Sequence, residues 1–157
     1  ENLFYGVFIA EVLWRFHSHQ QEHPRLFRLV NSLLTVLDAG LPLREMLPYF
    51  MIWVLRLEGL LFSAEKCSSC GESLGNNGGW LRDDSRGLLC HRCRKREANH
   101  IGPEWLNYIL WTRHNAITAE TVKEMALSAR PDFKRFVNCL KEVMEAHGEL
   151  RFKTPLP

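Results

Sequence analysis

Cys67-Ser68-Ser69-Cys70 and Cys90-His91-Arg92-Cys93 decide how this chain is organised. In each stretch two cysteines flank two other residues, and positions 71 to 89, 19 residues, separate the pairs. Two thiolates so spaced on a tight turn reach one ion from adjacent corners of a tetrahedron, and a second such turn completes the shell. Cys67, Cys70, Cys90 and Cys93 are therefore the expected ligands of a structural zinc ion, with no corner left for water or substrate. Gly71 suits the turn after the first pair. Two other readings use the same residues. One is a pair of disulfides, which belongs to oxidising compartments; the other is a redox dithiol, for which a single pair at a helix start would serve. The fifth cysteine, Cys139, falls between Phe136 and Leu140 on an apolar helix face and reads as core filler.

Around the cysteines, from 63 to 100, helical periodicity stops. Gly71, Gly75, Gly78, Gly79 and Gly87 cluster there with Asn76 and Asn77. Short strands at Trp80-Leu81 and Leu88-Leu89, joined through Asp83 to Gly87, are predicted. On both sides the rhythm is helical. Upstream, Val7 to Phe16 is apolar nearly all round, the mark of a centrally buried helix; its exit, His17 to His23, reads as a frayed end and loop. Pro24 opens a second helix that Gly40 closes. Leu43 to Leu57 continues the pattern, and Pro48 inside it predicts either two helices or a kink. Downstream, Pro103 opens a helix carrying Trp105, Leu106, Ile109 and Leu110. Thr118 is a partial cap, because Thr121 stands where a capping box wants Glu or Gln. Pro131-Asp132 starts a last helix that Gly148 ends, followed by a basic extended tail from Arg151. The expected fold is mainly α: a helical domain made of residues 1–62 and 101–157, with a tetracysteine zinc-knuckle lobe containing a short β-hairpin inserted at 63–100.

Composition narrows the classes. The 157 residues are 46% hydrophobic and 24% charged, with a net charge of +2, so disorder is excluded as the main state. The most apolar run, Met46 to Phe62, contains Arg56 and Glu58 and does not read as a membrane span. Glu1 to Phe16 lacks the basic start and small-residue cleavage site of a signal peptide, and Glu1 to Gly6 reads equally as part of a protease-cleavable tag or as a native amphipathic stretch running into Val7. Zinc-binding thiolates without an export signal imply the cytoplasm.

Near-neutral charge makes local clusters the places to look for partners. Arg82, Arg86, Arg92, Arg94, Lys95 and Arg96 fall beside the second knuckle, opposed by Asp83, Asp84 and Glu97. They read equally as phosphate contacts or as a solvated face of local ion pairs. Trp80 offers a ring to stack a base or a cover for the lobe's small core. His17, His19 and His23 read as loop residues, not as a metal site.

The order of these features resembles the C-terminal part of RecO, the bacterial recombination mediator. The resemblance lies in Ala10-Glu11-Val12-Leu13, Leu26 to Val30, Leu55-Arg56-Leu57-Glu58-Gly59-Leu60, both cysteine pairs, and His147 to Lys153. It implies a non-enzymatic role in DNA repair and recombination within the bacterial cytoplasm and nucleoid, with no small-molecule substrate. In that role the family anneals strands and, with RecR, loads recombinase onto strands coated by single-stranded-DNA-binding protein. It also implies that this domain docks the acidic, Phe-ended tail of that protein. Arg25 and Arg28, or Arg130, Lys134 and Arg135, are the two expected cationic edges of such a slot. The family's N-terminal OB-fold, which carries much of its DNA binding, has no counterpart here, so partner docking is the safer expectation than DNA binding. Two readings stand as alternatives: a small zinc-containing nuclease using His91, Asn99, His100 or His114, and a zinc-knuckle regulator that binds duplex DNA.

Overall fold

A computed structural model describes residues 2–16, 23–96, 98–148 and 151–155. Six α-helices and a small antiparallel sheet form along the described chain: α1 (Asn2–Phe16), α2 (Pro24–Asp38), α3 (Leu43–Leu57), β1 (Gly79–Leu81), β2 (Leu88–Leu89), β3 (His100–Ile101), α4 (Pro103–Trp111), α5 (Ala119–Met125) and α6 (Phe133–Gly148). The mainly helical class and the hairpin follow the sequence expectation. Of the segment His17 to His23 expected as a frayed end and loop, residues 17–22 lie outside the described residues.

The central helix is α3, not α1. Met46, Leu47, Phe50, Met51, Ile52 and Leu55 have no solvent exposure, and α1, α2 and α6 all pack against this helix. It runs unbroken through Pro48, so the expected division into two helices does not occur. The proline forfeits one backbone hydrogen bond, while burial on every side keeps the segment helical. Both α2 and α3 end in a glycine with positive φ, Gly40 at +80° and Gly59 at +70°. At the end of α3, Leu60 N–H donates to Leu55 O (2.7 Å) and Gly59 N–H to Arg56 O (3.2 Å), which satisfies carbonyls the helix leaves open.

Helix α1 buries only Tyr5, Phe8 and Val12, and leaves Leu3 (75% exposed) and Trp14 (70%) to solvent, with Phe4 and Val7 about half exposed. Its all-round apolar character therefore marks a helix with one face on the core and a second apolar face outside. The segment after α6 also departs from expectation, because it docks. Phe152 is buried with its ring 5.1 Å from that of Phe8, and the Glu11 carboxylate accepts from Lys153 N–H (2.9 Å), Thr154 N–H (3.0 Å) and Thr154 Oγ1 (2.7 Å). Arg15 lies 3.0 Å from the same carboxylate. At α5, Thr121 Oγ1 accepts from Thr118 N–H (2.9 Å) while Thr118 Oγ1 accepts from Thr121 N–H (3.2 Å), so a threonine completes the capping box expected to need Glu or Gln.

Glu11 supplies a pH signature. Burial alone would raise its carboxyl, but the Lys153 and Thr154 donors and Arg15 outweigh it and hold the group at about 2, against 4.5 for the free side chain. A lowered pKa stabilises the fold above the unfolded value, and the gain is lost as pH falls through the folded one. Glu11→Gln should cost about 1–3 kcal/mol at neutral pH. In thermal melts the gap from wild type should close between pH 4.5 and about 2; a gap independent of pH would refute the assignment.

Candidate metal centre and partner surfaces

The sheet is the frame of the cysteine site. β1 lies in the middle, paired antiparallel with β2 (Trp80 opposite Leu89) and with β3 (Trp80 opposite His100). The third strand escapes sequence reading because it is two residues long and runs straight into Gly102-Pro103. The first knuckle is pinned to β2, where Leu88 O accepts from Ser68 N–H (2.8 Å) and Ser68 Oγ (3.0 Å). Gly71, at φ +75°, reverses the chain and donates its N–H to Cys67 O (2.9 Å). At the second knuckle, Cys90 O accepts from the N–H groups of Cys93 (3.1 Å) and Arg94 (3.0 Å). Arg92 pairs with Glu72 and so ties the second turn to the first.

The four predicted ligands converge. Their Sγ atoms all lie within 4.8 Å of one another, and those of Cys70 and Cys90 are 3.7 Å apart. A tetrahedron with metal–sulfur bonds of about 2.3 Å has edges of roughly 3.8 Å, whereas disulfide sulfurs lie about 2.0 Å apart. All five cysteines are free thiols, which sets the disulfide reading aside. Burial pushes the Cys67 thiol up, but the N–H groups of Cys70, Cys90 and Ser69 prevail and bring it to about 6. The neighbouring sulfurs of Cys70 and Cys90 push Cys93 up to about 12. Sulfurs crowded this way ionise together only around a cation, so the donor set fits a thiophilic metal. Cys139 is buried in α6, away from the cluster, as core filler.

Two of the four residues named for the nuclease alternative, Asn99 and His100, are engaged elsewhere. Asn99 donates to Glu142 (3.0 Å), and the His100 ring lies 3.0 Å from Asn77 O. Among the described residues the four cysteines form the one group of His, Cys, Asp or Glu arranged to hold a metal.

Half of the basic run is neutralised at close range. Arg82 pairs with Asp84 (2.9 Å), Lys95 with Asp83 and Arg92 with Glu72. The Arg94 guanidinium sits 4.7 Å over the Trp80 ring, whose other neighbour is His100 at 4.5 Å. Trp80 is thus half-buried within a stack of its own lobe. Arg86 and Arg96 remain without an ion pair among the described residues.

Each of the two expected cationic edges borders a cavity. Arg25 and Arg28 of α2 line a groove of about 390 Å³ with Leu29, Ser32, Tyr49 and Trp53. Trp53 is held from behind by Arg56, whose guanidinium lies 4.5 Å from the ring and donates to Ile109 O (3.1 Å) and Thr112 Oγ1 (3.0 Å). Tyr49 Oη donates to Asn115 O (3.0 Å), fixing the second aromatic wall. Arg130 and Lys134 border another cavity, of about 290 Å³, with Tyr5 and Arg44; Arg135 lies outside it, exposed on α6. Sequence reading missed Tyr49, Trp53 and Arg44 because they come from α3, distant in the chain from the clusters they join.

The comparisons with known proteins agree with this architecture. A family profile described as recombination protein O, C terminal, matches residues 1–153. A DNA repair protein RecO from Geobacter metallireducens is 33% identical over 97 residues, 62% of this chain and 39% of that protein. The RecO of Listeria monocytogenes serotype 4a is 27% identical over 93 residues, 59% of this chain and 36% of its own length. That of Anaeromyxobacter sp. strain K is 36% identical over 91 residues, 57% and 34%. The chain thus spans little more than a third of the length of these relatives. No solved structure matches it.

Gly87 offers a test of the lobe. A Cβ there would lie 2.6 Å from Ser68 Oγ and 2.7 Å from Ser68 Cβ, driving β2 off the first knuckle. Gly87→Ala should speed modification of the four thiols by a chromogenic disulfide several-fold, and an unchanged rate would show that the hairpin does not hold the knuckle.

Proposed function

The chain belongs to the recombination protein O family, whose named relatives are DNA repair proteins, and from this premise we propose that it is a non-catalytic docking scaffold for recombination mediation. The observation that carries the reading is the α2–α3 groove. Its walls are aromatic and aliphatic, its rim carries Arg25 and Arg28, and Arg56 braces it from behind. Such a slot suits a peptide that ends in an aromatic side chain and acidic residues: the ring enters the apolar part while its carboxylates meet the guanidiniums. The acidic tail of single-stranded-DNA-binding protein has that chemistry, and a RecR-like mediator is the second partner the family reading implies. A bacterial cytoplasmic, nucleoid-associated setting goes with this role. No described helix is long and apolar enough to cross a membrane.

Zinc is the metal we assign to Cys67, Cys70, Cys90 and Cys93. Four sulfur donors suit it, and a closed thiolate shell supplies folding energy, not reactivity. The lobe's own apolar core is small, with Ala64, Leu74, Leu81 and Leu88 buried beside Ile101, so the metal would carry much of its stability. The basic run beside the second knuckle is a weaker candidate for DNA contact, since three of its six cations are already paired.

Two measurements test the proposal. Elemental analysis should find one zinc per chain, and Cys67→Ser or Cys93→Ser should lose it and lower Tm while helical circular dichroism persists; full metal retention in both variants would count against the site. Arg25→Glu with Arg28→Glu should weaken binding of an acidic, Phe-terminated peptide at least tenfold in calorimetry. Unchanged affinity would remove the groove as the docking site.

A further inference from the structure

The four sulfurs of the cluster are unevenly shielded. Cys67 and Cys90 are 3% and 6% exposed, Cys93 is half-buried, and Cys70 stands exposed in the first knuckle. Beside it, the space where Gly71 would carry a side chain is open, with no atom beyond the chain neighbours within 4 Å. A small solute can therefore reach Cys70 and not the two buried sulfurs. A sulfur of the other knuckle stands within reach of Cys70, because Cys90 Sγ lies 3.7 Å from Cys70 Sγ. A disulfide of about 2.05 Å between them needs a closure of roughly 1.7 Å. Cys67 is the poorer partner. Its sulfur is engaged by the N–H groups of Cys70, Cys90 and Ser69, and stabilising a thiolate lowers its nucleophilicity. Its own N–H is also tied to Glu72 O (2.8 Å), while Ser68 beside it is pinned to Leu88 O. Cys139, the fifth thiol, is buried in α6 outside the cluster.

We propose that the lobe is a redox switch, in which a two-electron oxidant such as hydrogen peroxide enters at Cys70, joins it to Cys90 and unlocks the lobe. This regulation rests on the assignment of zinc to the four cysteines. In the first step the Cys70 thiolate attacks one peroxide oxygen: an S–O bond forms, the O–O bond breaks and hydroxide leaves. In the second the Cys90 thiolate attacks the Cys70 sulfur: the S–S bond forms, the S–O bond breaks and a second hydroxide leaves. Two thiolates have then given two electrons to one peroxide. Cys67 and Cys93 remain as donors where a closed shell needs four. The strands of the lobe are three, two and two residues long, too short to hold it once the shell is gone. The core of α3 contains none of these sulfurs, so the helices persist. A dithiol reductant returns two electrons to the disulfide and restores both ligands.

The test uses the full chain loaded with zinc, hydrogen peroxide as oxidant, a chromogenic zinc chelator, and mass spectrometry after alkylation of the remaining thiols. Zinc release should match disulfide formation mole for mole. The disulfide should map to Cys70 and Cys90, with Cys139 still a thiol and helical circular dichroism retained. Dimedone, a trap for sulfenic acids, should label Cys70 when present during the oxidation. Dithiothreitol with added zinc should then restore the metal content. A reduced chain that takes up no zinc overturns the metal assignment and the switch together. Zinc retained under peroxide overturns the switch alone. So does a disulfide confined to Cys67 and Cys70, a dimedone label on Cys67 or Cys90 in place of Cys70, or release that the reductant cannot reverse.

Discussion

Arg56 is a cation held near the end of a helix that is otherwise nearly all core. Its burial lowers its pKa, and the cost of that burial is offset by Ile109 O, Thr112 Oγ1 and the face of Trp53. Those three contacts join α3 to α4 and fix the aromatic wall of the groove with one side chain. A lysine there could reach one of these partners but has no planar fork to serve two and stack on a third. The remaining helices are arranged about the same axis. α2 and α6 flank α3, and α4 contributes Trp105, stacked at 4.2 Å on Phe136 of α6. The groove therefore stands on rigid elements, the condition for holding a ligand in a defined pose.

The cysteine lobe is joined to this frame at few points. β3 leads through Gly102 directly into α4, and Asn99 reaches Glu142 of α6. Gly78, at φ +73°, has no room for a side chain because a Cβ would lie 2.3 Å from Ile101 O. The lobe is thus a short-sheeted appendage whose order comes from the sulfur cluster and a few glycines, in contrast to the apolar order of the helices.

Much of this was legible in the sequence, and for physical reasons. Cysteine pairs at fixed spacing report a geometry that is local within each turn, so all four members of the sulfur cluster could be named without a fold. Gly40, Pro24, Pro103 and Gly148 punctuate helices because their backbone constraints act within a residue or two. Legibility failed where the deciding contact is remote. The helix from Leu43 was expected either to divide or to kink at Pro48, and it does not divide, because the burial that holds the segment helical is not visible in the sequence. Helix α1 was expected at the centre because apolar residues on all sides look the same whether they meet the core or solvent. The tail from Arg151 read as basic and extended, yet Phe152 and Thr154 are held by Phe8 and Glu11, well over a hundred positions away in the chain. The cationic slots were half-read: arginines adjacent in sequence were found, and the α3 side chains that complete each cavity were not.

The outer face of α1 gives the molecule a second kind of surface. Leu3, Val7, Ala10 and Trp14 recur at intervals of four, three and four residues, so they share one stripe along the helix. Charged contacts at the cationic cavities weaken as salt screens them, while contacts made through an apolar stripe hold or strengthen, most of all in strongly hydrated salts such as sulfate. Added salt therefore acts in opposite senses on the two surfaces, weakening any charge contact at the cationic cavities and strengthening any apolar contact at α1.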